Sequence, residues 1–281
     1  MASQTQKLSV RIKNLYPVNY LVVGLVAASM VLPFLWMVLT SFKERGEILG
    51  IPPTFLPKVW TFSNYTDAAS RLDIAQVYWN TTYVSVIKTF IQIYFSSLLG
   101  FVFGKYNFKY KEVIFYFILA TMILPFEIYM IPLYRMMVAA DLGDRHLALI
   151  IPMMFSAYST FLMRQFMFTI PNDYLDAARI DGAGEWFIFH RLILPLCKPI
   201  IATLVTFYFM WNWNDFLWPL IVISSESKAM LPVALSGFVA EHGTDYGLVM
   251  AGATMATIPV LIVFLIFQRY VVQGISLTGM K

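Results

Sequence analysis

Six stretches of about twenty mostly apolar residues, near 18–40, 80–103, 112–134, 147–168, 199–222 and 248–270, constrain this chain more than any other feature. A bilayer core takes about 20 such residues per helix, and inside it every backbone amide must be satisfied within its own segment. The runs are too long and too uniformly apolar for the alternating strands of a barrel. The expected fold class is an all-α membrane protein: six transmembrane helices in a single domain covering residues 1–281. Composition points the same way, since 13% of the residues are charged against about 25% in soluble domains. The first run continues past twenty residues with no small-residue cleavage pattern, which reads as a retained span rather than a signal peptide.

Charge by loop gives an orientation. With the amino terminus in the cytoplasm, twelve of the twenty Lys and Arg residues fall inside and seven outside, with Lys88 within the second span. The positive-inside bias then favours both termini in the cytoplasm. The formal charge of +4 is absorbed by this distribution and makes no case for nucleic acid. Cys197 is the only cysteine, so no internal disulfide can form. His146, His190 and His242 fall in separate loops as solvated residues, outside any metal-ligand spacing. No G-x-x-x-x-G-K-[ST] phosphate loop appears, so neither a metal nor a nucleotide cofactor is expected in this chain. No G-x-S-x-G exposes a serine nucleophile, and an enzyme finds no constellation here.

One stretch departs from the oil. YLDAARIDGAGEWFIFHRLILP, residues 174–195, places acids, arginines and a histidine in the cytoplasmic loop 171–198. Pro171, Asn172 and Asp173 read as a helix start with an Asx cap, and Asp173 and Asp176 suit the positive end of the helix dipole. A short helix to about Asp181 is expected, then a break at Gly182 and Gly184, a second helix from Glu185 to Ile193, and a stop at Pro195. The product is a compact knob with small Ala177 and Ala178 beside charged Asp176, Asp181 and Glu185. It is either a docking element or a solvated loop.

Two polar groups sit in the spans, where ionisable residues are costly and by default mark a pathway. WNWNDFLWPL, residues 211–220, offers Trp211, Asn212, Asn214 and Asp215, indole for sugar C–H faces and amide or carboxylate for hydroxyls. Their spacing divides them around a helix, and the other reading is that Asn212 and Asp215 join neighbouring helices or cap a kink. Glu127, between Pro125 and Pro132, is open to a structural pair with Lys88, a substrate contact or a proton relay.

DAARIDGAGEWFIFHRLILP resembles the EAA loop of ABC importer permeases, whose pattern is Glu-Ala-Ala, three residues, Gly, nine residues, Ile, one residue, Leu-Pro. Ala177, Ala178, Gly182, Leu194 and Pro195 match at the required spacing, while Asp176 stands for the glutamate and Leu192 for the isoleucine. Asp176 is one methylene shorter than the family's acid. TSFKERGEI, PPTFLPKVWTFSNY, MILPFEIYMIPLY, WNWNDFLWPL and the tail QRYVVQGISLTGMK extend the resemblance over nearly the whole chain, toward carbohydrate permeases of the maltose-transporter type. The resemblance implies a type I importer permease in the bacterial inner membrane, assembled with a second permease subunit, two ATPase subunits that bind ATP and Mg, and an extracytoplasmic sugar-binding protein. It implies that Asp176, Ala177, Ala178, Gly182, Leu192, Leu194 and Pro195 couple to the ATPase. It also implies that loop 223–247, around Leu231, Gly237, Phe238, Glu241 and Gly243, meets the binding protein, or else packs on its own protein's mouth. Glycerol-phosphate importers share these motifs, so the solute class stays open between sugar, polyol and glycerol phosphate. A secondary transporter should show inverted repeats and broken-helix pairs in both halves, which six spans with one cytoplasmic knob fit poorly.

Overall fold

The computed structural model describes the backbone of residues 2–240 and 243–278 and the side chains of residues 18–239 and 244–269. Helices dominate, and the strands among the described residues form one antiparallel ribbon, Val239–Ala240 paired with Gly243–Thr244. Three helices are long and apolar enough to cross a membrane unbroken: Val18–Ser41, Ile74–Lys105 and Tyr246–Arg269. Three bent pairs bring the total to six if each is one span: Lys111–Ile123 with Phe126–Ala139 (101°), Leu147–Met153 with Ala157–Phe168 (46°), and Glu185–Leu196 with Lys198–Trp213 (78°).

Two of the bends fall inside expected spans and each has a local cause, the third lies at Cys197 just before the 199–222 stretch, and that stretch is itself interrupted. In the 112–134 stretch Leu124 is extended (φ −80°, ψ 113°) because the residue before a proline is pushed out of the helical region, and Pro125 follows it. Pro132 is absorbed inside Phe126–Ala139. In 147–168 Pro152 sits in a tight 3-10 turn, and extended Ser156 restarts the helix by accepting Ser159 N–H at 3.3 Å. The 199–222 stretch stops at Trp213, and Leu217–Val222 resumes it as a separate short helix.

The chain divides into two compact units, Met1–Arg71 with Phe238–Met255, and Leu72–Gly237 with Ala256–Lys281. In the first unit Asn64 Nδ2 donates to Ser41 O (2.9 Å) and Lys43 O (2.8 Å), fastening the Ser63–Arg71 helix to the end of the first long helix. Phe42, Trp60, Phe62 and Tyr65 cluster around that junction. A Cβ at Gly247, in the first turn of the last helix, would lie 2.4 Å from Asn64 Oδ1 and push that amide off the two carbonyls it holds.

The second unit is built on Ile74–Lys105. Ser96, Gly100 and Gly104, four residues apart, give that helix a smooth stripe against Ala157–Phe168. A Cβ on Gly100 would fall 2.6 Å from Met163 Cβ, and Ser159 Oγ donates to Ser96 Oγ at 2.6 Å. Arg164, on the same helix, is buried between the Phe115 and Phe168 rings, donates Nε to Phe103 O at 3.1 Å and pairs with Glu112 at 2.5 Å.

Candidate functional site

The knob forms a helix, a turn and a second helix, as its sequence predicts, but its base differs. Asp173–Ile180 is helical, and Asn172 makes no capping bond. Its Oδ1 instead accepts from Lys105 Nζ (3.1 Å), and the same ammonium donates to Ile170 O, so the knob hangs from the end of Ile74–Lys105. The helix ends in a paired-bond turn: Ala183 N–H reaches Ala178 O (2.9 Å), and Gly182 N–H reaches Arg179 O (3.0 Å). That geometry needs the positive φ of Gly182 (83°), which side-chain-bearing residues rarely adopt.

The second helix is α over Glu185–Phe187, widens to a π turn over Ile188–Ile193, and continues through Leu194–Leu196. Pro195 therefore begins a helical turn rather than ending the unit, and the stop comes at Cys197 with the 78° bend. His190 lies in this expected helix and is held rather than solvated, with Nδ1 on Trp186 O (2.9 Å) and Nε2 on Tyr94 OH (3.1 Å). Leu175, Ile188, Phe189 and Ile193 are buried beneath the knob. Each such side chain contributes about 1.5–3 kcal/mol relative to exposure. That rigid base presents Tyr174, Ile180, Trp186 and Phe187 to the outside, Ile180 at 86% exposure.

Among the expected coupling residues, Ala177, Ala178 and Leu192 line one open groove with Tyr174 and Asp181. Gly182 shapes the turn beside it, exposed Pro195 and half-buried Leu194 lie in the helix behind, and Asp176 is exposed on the first helix. Arg179 is the residue that sequence reasoning passed over. Its guanidinium pairs with Asp176 (3.2 Å) and with Glu185 (2.9 Å) across the turn, and Glu185 also accepts from Tyr106 OH. The Asp176–Arg179 spacing of three on a helix was the available signal.

The span residues separate by face. Asn212 is buried and donates to Thr89 Oγ1 and Gln92 Oε1, both at 2.9 Å. Asp215 pairs with the buried ammonium of Lys88 at 2.7 Å. Glu127 is not Lys88's partner and is exposed in the first turn of Phe126–Ala139. Trp211, 56% exposed and set edge-on to Tyr208, shares the open face with Asn214, whose amide turns back to Met210 O (2.8 Å).

The 223–247 loop is anchored hard at its start. Asp144 accepts from Ser224 N (2.9 Å), Ser225 N (3.0 Å), Ser225 Oγ (2.6 Å) and Lys228 Nζ (2.7 Å). The Lys228 ammonium and the Ser225 hydroxyl hold its carboxyl far below the usual carboxylate range. His146 lies against Tyr83 OH and Lys228 O, which makes it an anchor rather than a solvated residue. Leu231 is buried with its N–H on Thr81 Oγ1 (2.8 Å), Phe238 is buried, Gly237 is exposed and Gly243 belongs to the ribbon. Glu241 and His242 lie outside the described residues.

Residues 96–277, which include the knob, its groove and this loop, match the family of binding-protein-dependent transport system inner membrane components. The chain belongs to that family. It is 34% identical over 252 residues to the arabinooligosaccharides transport system permease protein AraQ of Bacillus subtilis, covering 89% of this chain and 90% of that one. It is 35% identical over 257 residues to the lactose transport system permease protein LacG of Rhizobium radiobacter, at 92% and 93% coverage. Its fold matches, with a TM-score of 0.81, a chain of a bacterial ABC transporter involved in the import of the acidic polysaccharide alginate, at 24% identity and covering 92% and 96% of the two chains. As an inner membrane transport component, the chain carries its knob and broken spans in a permease.

Proposed function

We propose that this permease subunit imports a saccharide delivered by an extracytoplasmic binding protein, with separate ATPase subunits driving alternating access through the knob. The knob carries the reading: a turn fixed by Gly182, a groove floored by Ala177 and Ala178, and exposed Ile180, Trp186 and Phe187 on a buried base. Such a surface is costly to leave in water and is shaped to be covered. Both termini and the knob lie on the cytoplasmic side, an orientation supported by the inside excess of Lys and Arg. A second permease subunit and lipid cover the apolar side chains of 18–35, all exposed in this chain. Loop 223–247 faces the binding protein through Ser236, Gly237 and Val239, because Leu231 and Phe238 are turned inward.

Co-purification with the ATPase tests the coupling role. The native chain retains the ATPase, and a variant carrying Asp176→Lys, Trp186→Ala and Phe187→Ala loses it while the membrane domain keeps its melting behaviour. Full retention by that variant would remove the knob as the dock. A panel of arabinotriose, lactose, raffinose and sn-glycerol 3-phosphate, offered to the reconstituted transporter, tests the solute class, and uptake of the phosphate alone would overturn the saccharide reading.

A further inference from the structure

Many hydroxyls in the long helices bond back to their own helix. Ser41 reaches Val38 O, Thr81 Val77 O, Ser97 Ile93 O and Thr206 Ala202 O. That is the default for a helical Ser or Thr with no water to meet. Three buried hydroxyls among the described residues depart from it, those of Ser85, Thr254 and Thr40, and of these Thr40 lines an open cleft. The residue is 4% exposed and its Oγ1 has no hydrogen-bond partner, an arrangement that costs about 1–3 kcal/mol when nothing fills it.

Thr40 lines a cleft of about 290 Å³ in the unit formed by residues 1–71 and 238–255, with Trp36, Lys43, Leu49, Tyr246 and Met250 among its walls. This volume is at the small end of ligand sites, room for about one ring. Lys43, 2% exposed, spends one N–H on Thr54 O, rests over the Trp36 ring at 4.5 Å and forms no ion pair among the described residues, so it keeps donors for a ligand. Glu47, also in the wall, is already satisfied by Thr54 Oγ1 (2.5 Å) and Lys58 N (3.0 Å). A second cleft, of about 260 Å³, shares Ile48, Leu49 and Tyr246 with the first and adds Arg45 and Asp245, themselves paired at 2.8 Å.

The chemistry selects the occupant. Charges of both signs line the walls, which disfavours an anion. The aromatic and aliphatic walls suit C–H faces, and an orphan hydroxyl can either donate or accept. We propose that this cleft binds a short neutral saccharide, with Thr40 Oγ1 and Lys43 Nζ meeting its hydroxyls and Tyr246 lying against its ring. The inference rests on the saccharide reading of the preceding section.

The test uses the assembled transporter in nanodiscs and follows saturation transfer to lactose and raffinose, with Thr40→Val and Tyr246→Ala as variants. Thr40→Val keeps the volume and removes only the hydroxyl. It binds the probes about three- to tenfold more weakly, the loss of one hydrogen bond, and without sugar it melts at the native temperature or above. Unchanged binding by both variants, or a lower melting temperature of sugar-free Thr40→Val, overturns the site. Uptake by the same purified complex reconstituted into sealed proteoliposomes separates the two ideas. A probe transported normally and bound equally by all three proteins removes the cleft and leaves the saccharide reading standing. No saccharide uptake, with sn-glycerol 3-phosphate carried instead, removes both.

Discussion

Gly100 shows how much of this fold rests on the absence of a single methyl group. A Cβ built there would fall 2.6 Å from Met163 Cβ, closer than non-bonded carbons can approach, so Gly100→Leu must push the two helices apart. Overpacking of this kind costs about 1–3 kcal/mol, and the purified transporter should melt measurably lower. Gly46→Leu, at an exposed position where nothing lies within 4 Å, serves as the control and should leave the melt unchanged. Asp144 makes a pH prediction at the same scale. Its carboxyl is held below the usual value of 3.8 by Lys228, so the charged form stabilises the folded state at every pH above that value, and the contribution is lost as the pH falls through the folded pKa. Hydrogen exchange at residues 223–228 should stay slow from pH 7 to about pH 4 and quicken below. Asp144→Asn should exchange faster throughout and show no such step, and matching profiles for the two proteins would contradict the anchor.

At the level of elements, the seam between Ile74–Lys105 and the interrupted helix at 213–217 turns on one charge pair. Lys88→Met leaves Asp215 without its cation. Because Asp215 keeps partial access to water, the loss should be about 3 kcal/mol, the low end for a broken buried pair. The exchanged pair, Lys88→Asp with Asp215→Lys, should recover part of the loss in thermal melts of the complex, and a double variant no better than either single one would argue against the pairing. This pairing was beyond the reach of the sequence, since the partners are 127 residues apart and Glu127 offered an equally acidic alternative. The knob was legible for the opposite reason. Its turn is set by the local needs of Gly182, and its first helix by charges at Asp173 and Asp176. Asn172 was misread because a tertiary donor, Lys105, competes for the oxygen that a cap would use. The span breaks at Leu124 and Ser156 fell inside runs whose apolar content is the same on both sides, and hydropathy registers length, not direction. The second helix over 185–193 was legible with His190 inside it, whereas its widening to a π turn was not.

Across the whole molecule, family membership and a count of up to six spans were legible, because long apolar runs and an ordered series of motifs both survive without tertiary information. Orientation is the property that joins these levels. If both termini and the knob share the cytoplasm, a fluorescent protein fused after Lys281 should fold and fluoresce in cells, and a cysteine at Ser227 should react with a membrane-impermeant reagent added from outside. The central claim is that the knob is where the ATPase pushes. The direct measurement is photo-crosslinking from a benzophenone side chain placed at Trp186 or Phe187 in the intact transporter in native membranes. The account predicts a crosslinked product containing the ATPase subunit, with a yield that changes when ATP is added. Efficient crosslinks only to lipid or to this chain itself, in a complex that still transports, would contradict it.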